Sequence, residues 1–226
     1  MTLAPDAVRS MFDRIAPVYD VMNRVMTAGL DVRWRRHAAE AVVTPGDRVF
    51  DGACGTGDFA LADRRAGAGE VVGLDFSSQM LARARAKAPE LEWIQGDLLA
   101  LPFPDGSFDA ATVGFGVRNV ADLDLALREL RRILRPGGRL AILEITTPRG
   151  LVRPFFSLWF DRIVPLLGKV LPGGSAYSYL PASVKRFPAA EELALKLEAV
   201  GFTGVRFTLF GGSIVALHIG VAGEAA

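Results

Sequence analysis

Cysteine and histidine are nearly missing from this chain, with one Cys and two His among 226 residues. That scarcity excludes a disulfide framework and argues against a zinc site. The single thiol, Cys54, lies inside a glycine-rich stretch and reads as a small packed residue. No sign of charge dominates either: 26 basic residues face 25 acidic ones, a net charge of +1, so no global field draws in nucleic acid. A secretory leader is not visible, because residues 1–14 carry Asp6, Arg9, Asp13 and Arg14 in place of an apolar core, and the expectation is a cytoplasmic protein. Long apolar runs are absent too. Residues 151–172 come nearest, but Arg153, Pro154, Asp161, Arg162, Pro165 and Lys169 interrupt them, whereas a membrane span wants about 20 mostly apolar residues. There is no internal repeat and no linker beyond a short Gly/Ala tail at 222–226. What is present is a chain that is 50% hydrophobic, enough for a sizeable core in one or two domains.

Residues 49–58 read Val-Phe-Asp-Gly-Ala-Cys-Gly-Thr-Gly-Asp, and Asp75 closes the next apolar run one strand-turn-helix-strand unit later. The pair suits a glycine-rich nucleotide turn followed by a ribose-binding carboxylate. Gly55-Thr56-Gly57-Asp58-Phe59-Ala60 fits the dinucleotide fingerprint, which seats a pyrophosphate on a helix N-terminus. Asp51 and Asp58 flank this loop, however, and two carboxylates beside a diphosphate would cancel the pull of the helix end. A cationic ligand fits better. S-adenosylmethionine carries a sulfonium, an ammonium and a ribose diol, and no phosphate. Isolated Gly-x-Gly pairs commonly do no more than make tight turns, so the weight rests on the flanking acids and on the strands and helices beyond Asp75.

After Asp75, Ser77 can cap a helix running to about Ala88, and residues 91–95 form a third strand ending at Gly96-Asp97-Leu98. An acid at the carboxyl end of a strand lies in the crevice where open α/β sheets bind ligands, which places Asp97 to accept from an adenine amino group. A cap or Asx-turn suits Asp97 equally well. A loop at 101–108 leads to a strand at 109–114. Leu123, Leu127, Leu130 and Leu134 recur at helical spacing, and Arg135-Pro136-Gly137-Gly138 stops that helix before a strand at 139–145. Strands and helices alternate through five units, the pattern of a parallel sheet covered on both faces.

Asp51-x-x-x-Gly55-x-Gly57, Asp75, Gly96-Asp97 and residues 134–138, in this order, resemble class I S-adenosylmethionine-dependent methyltransferases. Four further stretches resemble the ubiquinone/menaquinone biosynthesis C-methyltransferases: Phe12-Asp13-x-Ile15-Ala16-x-x-Tyr19-Asp20-x-Met22-Asn23, Phe115-Gly116-Val117-Arg118-Asn119-Val120, Tyr177-x-Tyr179-Leu180-x-x-Ser183-Val184-x-x-Phe187-Pro188 and Val215-Ala216-Leu217-His218-x-Gly220. The resemblance implies a Rossmann-like α/β fold with a mostly parallel seven-stranded sheet and helices on both faces. It implies one domain over 1–226: a helical cap at 1–44, a cofactor core at 45–148, an apolar substrate-cap insertion at 149–188, and a C-terminal helix with strands at 189–221. The implied cofactor residues are Asp51, Gly55, Thr56, Gly57, Asp75, Phe76, Asp97, Leu98 and Gly114. Two positions depart from the family pattern. Gly52 stands where relatives carry Leu, which should loosen the turn, and Gly114 stands where some carry a Ser near the cofactor.

Two segments lie outside the nucleotide-binding scaffold. Residues 5–43 carry apolar side chains near helical spacing and a basic cluster, Arg33, Trp34, Arg35 and Arg36; residues 151–172 include Phe155, Phe156, Trp159 and Phe160. Apolar helical stripes commonly just pack on a domain. With the resemblance, they read as a greasy cap that admits a prenyl chain and touches the inner membrane surface. The implied chemistry is carbon methylation of a prenylated quinol, either a demethylmenaquinol or the benzoquinol precursor of ubiquinone, with a sterol- or phospholipid-type substrate as the alternative. A ring carbon becomes nucleophilic when the neighbouring hydroxyl loses its proton, and Arg118 and Asn119, just past the fourth strand, are placed to stabilise the oxyanion. Arg118 stays charged and is no proton acceptor. Tyr19, Tyr177, Tyr179 and His218 are secondary candidates for proton handling, although a lone His in the apolar run at 214–221 is commonly structural. No acidic cluster adjoins the loop, so no metal is expected. A homodimer is compatible with the sequence, which does not fix the oligomeric state.

Overall fold

The computed structural model describes residues 5–148 and 174–224. Seven strands form one sheet: β1 Arg48–Gly52, β2 Glu70–Asp75, β3 Glu92–Gln95, β4 Phe108–Gly114, β5 Leu134–Ile145, β6 Phe202–Phe210 and β7 Val215–Ala222, in the order β3-β2-β1-β4-β5-β7-β6. The first five strands run parallel, and β7 runs antiparallel to both β5 and β6. This is the seven-stranded, mostly parallel sheet expected from the sequence. Strand order reverses between β1 and β4, so the loops leaving these two strands open the crevice where such sheets bind ligands.

Before β1 come three helices, α1 Pro5–Ile15, α2 Tyr19–Thr27 and α3 Leu30–Val42; the later ones are α4 Asp58–Arg65, α5 Ser78–Lys87, α6 Leu123–Ile133, α7 Gly174–Arg186 and α8 Ala190–Ala199. Local signals set several of their ends. The Ser77 hydroxyl accepts from the Met80 amide at 3.1 Å and starts α5, while Asp122 accepts from the Leu125 amide at 2.9 Å and starts α6. Alternation along the strands then divides the core. Val49, Val71, Ala110 and Ala141 pack under α3, α4 and α5 on one face. Phe50, Val72, Ala111 and Leu140 pack under α6 and α8 on the other.

Sequence and structure differ at three places. β5 begins at Leu134, ahead of the expected 139, because Leu134 pairs with Phe108 before a bulge shifts the register. Gly52 does not loosen its turn: a Cβ there would lie 2.8 Å from Leu98 and 2.9 Å from Phe50, so neighbouring side chains already fill the space that a leucine would take. Arg35, expected on an exposed basic face, is only 6% exposed. The apolar stretch at 151–172 lies outside the described residues.

Trp93 anchors the sheet edge beneath the glycine loop. Its indole N–H donates to the Ala88 carbonyl at 2.8 Å, and its ring closes on the backbones of Gly73 and Gly57. Gly57 has φ +84°, and a Cβ there would sit 2.6 Å from the ring. Gly57→Ala should therefore destabilise the chain by about 1–3 kcal/mol through overpacking, lowering the melting temperature by several degrees. An unchanged thermal melt would show that the loop relaxes freely.

Candidate active site at the crevice between β1 and β4

The loop after β1 needs left-handed backbone at Ala53 (φ 50°), Gly55 (φ 55°) and Gly57 (φ 84°) before α4 begins at Asp58. This turn is pressed against the loop after β4. A Cβ on Gly116 would meet the Ala53 Cβ at 2.6 Å, and Phe115 beside it holds φ 58°, an uncommon conformation for a bulky residue.

Asp75 ends β2 and binds the turn from the other side. Its Oδ2 accepts from the Gly55 amide at 2.8 Å and its Oδ1 from the Ser77 amide at 2.8 Å. Burial pushes its pKa up to about 6 against the pull of those two amides, and Asp13 nearby pushes the same way. A carboxylate has about four lone-pair sites, so two amides leave room for a ribose diol. Phe76 follows and packs edge-on against Phe12, their centroids 6.1 Å apart; its carbonyl accepts from Gln95 Nε2 at 3.2 Å.

Asp51 is fully buried, facing α4, where its Oδ2 accepts from the Ala60 amide at 2.9 Å. Burial raises its pKa to about 8, with the Ala60 amide and Arg35 opposing. Asp63, which no sequence motif marks, is buried alongside and accepts from Thr112 Oγ1 at 2.7 Å; burial and the Asp51 charge hold it well above the usual carboxylate range. Asp51 Oδ1 and Asp63 Oδ1 are buried without a hydrogen-bond partner. An unpartnered carboxylate oxygen on the crevice strand suits a cationic ligand, as the flanking acids of the glycine turn suggest.

Asp58, the second of those flanking acids, is spent elsewhere. It accepts from Lys87 Nζ at 2.9 Å and from Arg24 Nη2 at 3.1 Å, and these cations hold its pKa below the usual range despite burial. Thr56 is likewise engaged through its side chain, donating to Asp20 at 2.5 Å and accepting from Lys87 at 3.0 Å. The helices before β1 thereby close over the glycine turn. Tyr19 comes within 3.9 Å of the Cβ position of Gly55, and Ser77 Oγ donates to Asp13 at 2.5 Å. Arg35 is held by Asp31 at 2.5 Å and lies 5.2 Å from the Phe115 ring centre.

Three sequence-derived cofactor positions differ from expectation in their surroundings. Asp97 is exposed and accepts from the Leu99 amide at 3.0 Å, making an Asx-turn, the second of the two roles its position allows. The Leu98 side chain is buried against Gly52 rather than open to the crevice. Gly114 is a packing glycine, since a Cβ would lie 2.6 Å from Phe59.

Arg118 and Asn119 stand together on a 3₁₀ turn, Val117–Asn119, just beyond β4. Both heads converge on the Phe115 carbonyl, which accepts from Arg118 Nη1 at 2.5 Å and from Asn119 Nδ2 at 3.4 Å. Arg118 Nη1 also pairs with Glu144 at 2.7 Å. Arg118 Nε and Asn119 Oδ1 are buried and unpartnered. His218 lies elsewhere: mid-strand in β7 opposite Ile142, its Nε2 is 2.8 Å from the Ala190 carbonyl and burial lowers its pKa. Those surroundings are structural, which removes it from the proton-handling candidates. Tyr179 is buried against Val8 and Met11, in a cluster that Phe12 and Phe76 flank; the Tyr177 side chain lies outside what is described. Among the described residues no group of three or more His, Cys, Asp or Glu could hold a metal ion.

The sequence profile of the ubiE/COQ5 methyltransferase family matches residues 1–222. The chain belongs to that family. It is a methyltransferase using S-adenosylmethionine. Over 218 residues it is 47% identical to a demethylmenaquinone methyltransferase of Thermus thermophilus, covering 93% of this chain and 99% of that protein. It is 41% identical to the ubiquinone/menaquinone biosynthesis C-methyltransferase UbiE of Geobacter sulfurreducens, covering 99% and 91%. Among solved structures the cyclase SpnF matches with a TM-score of 0.72 at 20% identity, covering 99% of this chain and 98% of that one, a likeness of fold.

The raised carboxyl groups give the family member a pH signature. Asp51 has an ordinary pKa of 3.8 and a folded value of about 8, so the folded chain holds a proton that the unfolded chain releases. That stability is fully present below the ordinary value and lost as pH rises through about 8. The cofactor-free protein should melt at higher temperature at pH 6.5 than at pH 8.5, and Asp51→Asn should flatten the dependence. Calorimetry in which the two proteins keep parallel pH profiles would exclude Asp51 as its source.

Proposed function

We propose that this chain transfers the methyl group of S-adenosylmethionine to a ring carbon of a prenylated quinol in menaquinone or ubiquinone biosynthesis, converting demethylmenaquinol to menaquinol. Relatives at 47% and 48% identity carry the name demethylmenaquinone methyltransferase, which supports the naphthoquinol over the benzoquinol. The observation that carries the reading is the pair of buried, unpartnered atoms at the Phe115 carbonyl: Arg118 Nε–H, a donor, and Asn119 Oδ1, an acceptor. A phenolic hydroxyl needs one of each, and once ionised it gains from the guanidinium.

When bound, S-adenosylmethionine supplies an activated sulfonium methyl. Asp75 and the Gly55 turn would hold its ribose end, and Asp51, which carries a proton in the cofactor-free chain, would release it and balance the positive charge. Arg118 would stabilise the phenolate left when the quinol hydroxyl gives its proton to solvent, and that charge makes the neighbouring ring carbon nucleophilic. Once methylated, the carbon loses its own hydrogen as a proton, leaving the donor as the neutral thioether S-adenosylhomocysteine. Holding that carbon in line with the methyl contributes on the order of 7–11 kcal/mol, and the helices before β1 exclude water. Incubated with S-adenosylmethionine and a short-chain demethylmenaquinol kept reduced by dithionite, the chain should give a ring-methylated product by mass spectrometry. Arg118→Gln should lower kcat by on the order of a hundredfold while S-adenosylmethionine affinity stays unchanged. A variant with parental kcat would remove Arg118 from the chemistry and leave Tyr19 as the candidate nearest the cofactor turn.

The prenylated substrate resides in a bilayer, and no helix among the described residues is long and apolar enough to cross one. The membrane contact we propose is peripheral, through the outer surface of α2 and α3. Buried Arg35 drops out of the expected basic cluster, and Phe155, Phe156 and Phe160 lie outside the described residues. In their place, Val21 is 64% exposed, Val25 67% and Val32 43%, with Arg33 and Arg36 exposed beside them. Apolar and cationic groups add at an anionic interface. Sedimentation with phosphatidylglycerol vesicles at low salt should bring down the parent chain and much less of the double variant Val21→Asp/Val25→Asp; equal sedimentation would move the contact to another surface.

A further inference from the structure

Glu144 sits at the carboxyl end of β5 and is 1% exposed. It closes the apolar run of its strand and grips the Arg118 turn twice. Its Oε1 accepts from Arg118 Nη1 at 2.7 Å, and its Oε2 accepts from the Arg118 main-chain amide at 3.3 Å. The Ile145 amide donates to the same Oε1 at 2.8 Å and fixes the carboxylate in turn. Burial pushes the Glu144 pKa up, and the Arg118 charge is the largest influence pulling it back.

As a stabilising device this arrangement is poor. Removing two charges from water costs several kcal/mol per ion, and apolar replacements of buried ion pairs are often neutral or better. The same few residues carry two further costs: left-handed backbone at Phe115, and unpartnered polar atoms on Arg118 and Asn119. Costs of this kind cluster where geometry serves function. The two protons of Arg118 Nη1 have two acceptors, Glu144 Oε1 and the Phe115 carbonyl. Because the guanidinium is a rigid planar fork, fixing one nitrogen at two points fixes the plane of the other donors, Nε–H among them.

We propose that Glu144 is a positioning residue for methyl transfer: it acts through Arg118, holding the guanidinium so that its Nε–H edge is already aligned when the quinol oxygen ionises. The proposal rests on the Arg118 reading above and adds a residue to it. It accounts for a carboxylate beside a centre that stabilises negative charge, since Glu144 directs Nη1 away and leaves another edge of the fork for the oxyanion. It also predicts that shape and charge both matter at 144. Glutamine keeps one of the two acceptor oxygens and loses the charge; aspartate keeps the charge and withdraws it by one methylene.

The test uses the full chain, the reduced short-chain demethylmenaquinol and S-adenosylmethionine, with initial rates for Glu144→Gln, Glu144→Asp, Arg118→Gln and the double variant Arg118→Gln/Glu144→Gln. Both single changes at 144 should lower kcat by about tenfold or more with the S-adenosylmethionine Kd from calorimetry within about twofold of the parent. In the Arg118→Gln background, Glu144→Gln should change kcat by less than about twofold, because a residue acting only through Arg118 has nothing left to position. A purely structural Glu144 would lower the melting temperature and leave the kcat of the folded fraction parental, and that result overturns the proposal; so does an additive cycle. If Glu144→Gln does not fold, Glu144→Asp, which keeps the ion pair's charge, carries the same comparison. Parental kcat in Arg118→Gln would overturn the Arg118 reading and this proposal together, whereas loss of kcat in Arg118→Gln with parental kcat in both Glu144 variants would overturn this proposal alone.

Discussion

The carboxylate of Asp75 holds two loops in register, and the glycine-turn side of the crevice is built around it. By accepting the Gly55 and Ser77 amides at 2.8 Å each, it fixes the left-handed turn after β1 and the start of α5 with one buried charge. Without it, the part-buried Gly55 amide would lose its partner, at a cost comparable to a lost hydrogen bond. Around this point the helices before β1 attach by polar contacts of their own, Asp13 to Ser77 and Asp20 to Thr56. Much of the charge near the turn is therefore internal wiring. Asp58 is neutralised by Lys87 and Arg24, whereas Asp51 and Asp63 each keep one buried oxygen without a hydrogen-bond partner.

How much of this is legible in the sequence depends on the range of the interaction. The glycine turn, the acid one unit later, the Ser77 cap and the alternating strands are local, so composition and spacing reveal them. Arg118 and Asn119 are legible by position alone, because residues just past a parallel strand face the crevice. Glu144 is hidden because its partner, Arg118, stands on the turn beyond a different strand, although an acid closing the apolar run Ala-Ile-Leu-Glu is the same signal that marks Asp97. Asp63 is lost among the charged residues of α4 and becomes a site neighbour only once Thr112 is placed opposite Asp51. His218 shows the opposite error. Its intrinsic pKa invites a chemical role, but alternation along β7 turns it toward α8 and the Ala190 carbonyl.

The fold places these groups without dictating their chemistry. A cyclase shares the architecture at a TM-score of 0.72, so the sheet is a platform and the reaction is written in the loops at one end of it. In this chain the decisive loops are those after β1 and β4, with the end of β5 behind them. In the proposed reaction the first would receive the methyl donor, the second would hold the arginine that faces the ring oxygen, and the third would steady that arginine.

The contact between Gly116 and Ala53 ties the first two loops together. With no room for a Cβ at 116 while a methyl stands at 53, the cofactor turn and the arginine turn interlock like two teeth of a gear. Position 53, at φ 50°, can shrink to glycine by itself, but position 116 cannot gain a side chain until it has. Change at the two sites is therefore ordered, and relatives of this chain with a larger residue at 116 should carry glycine at 53.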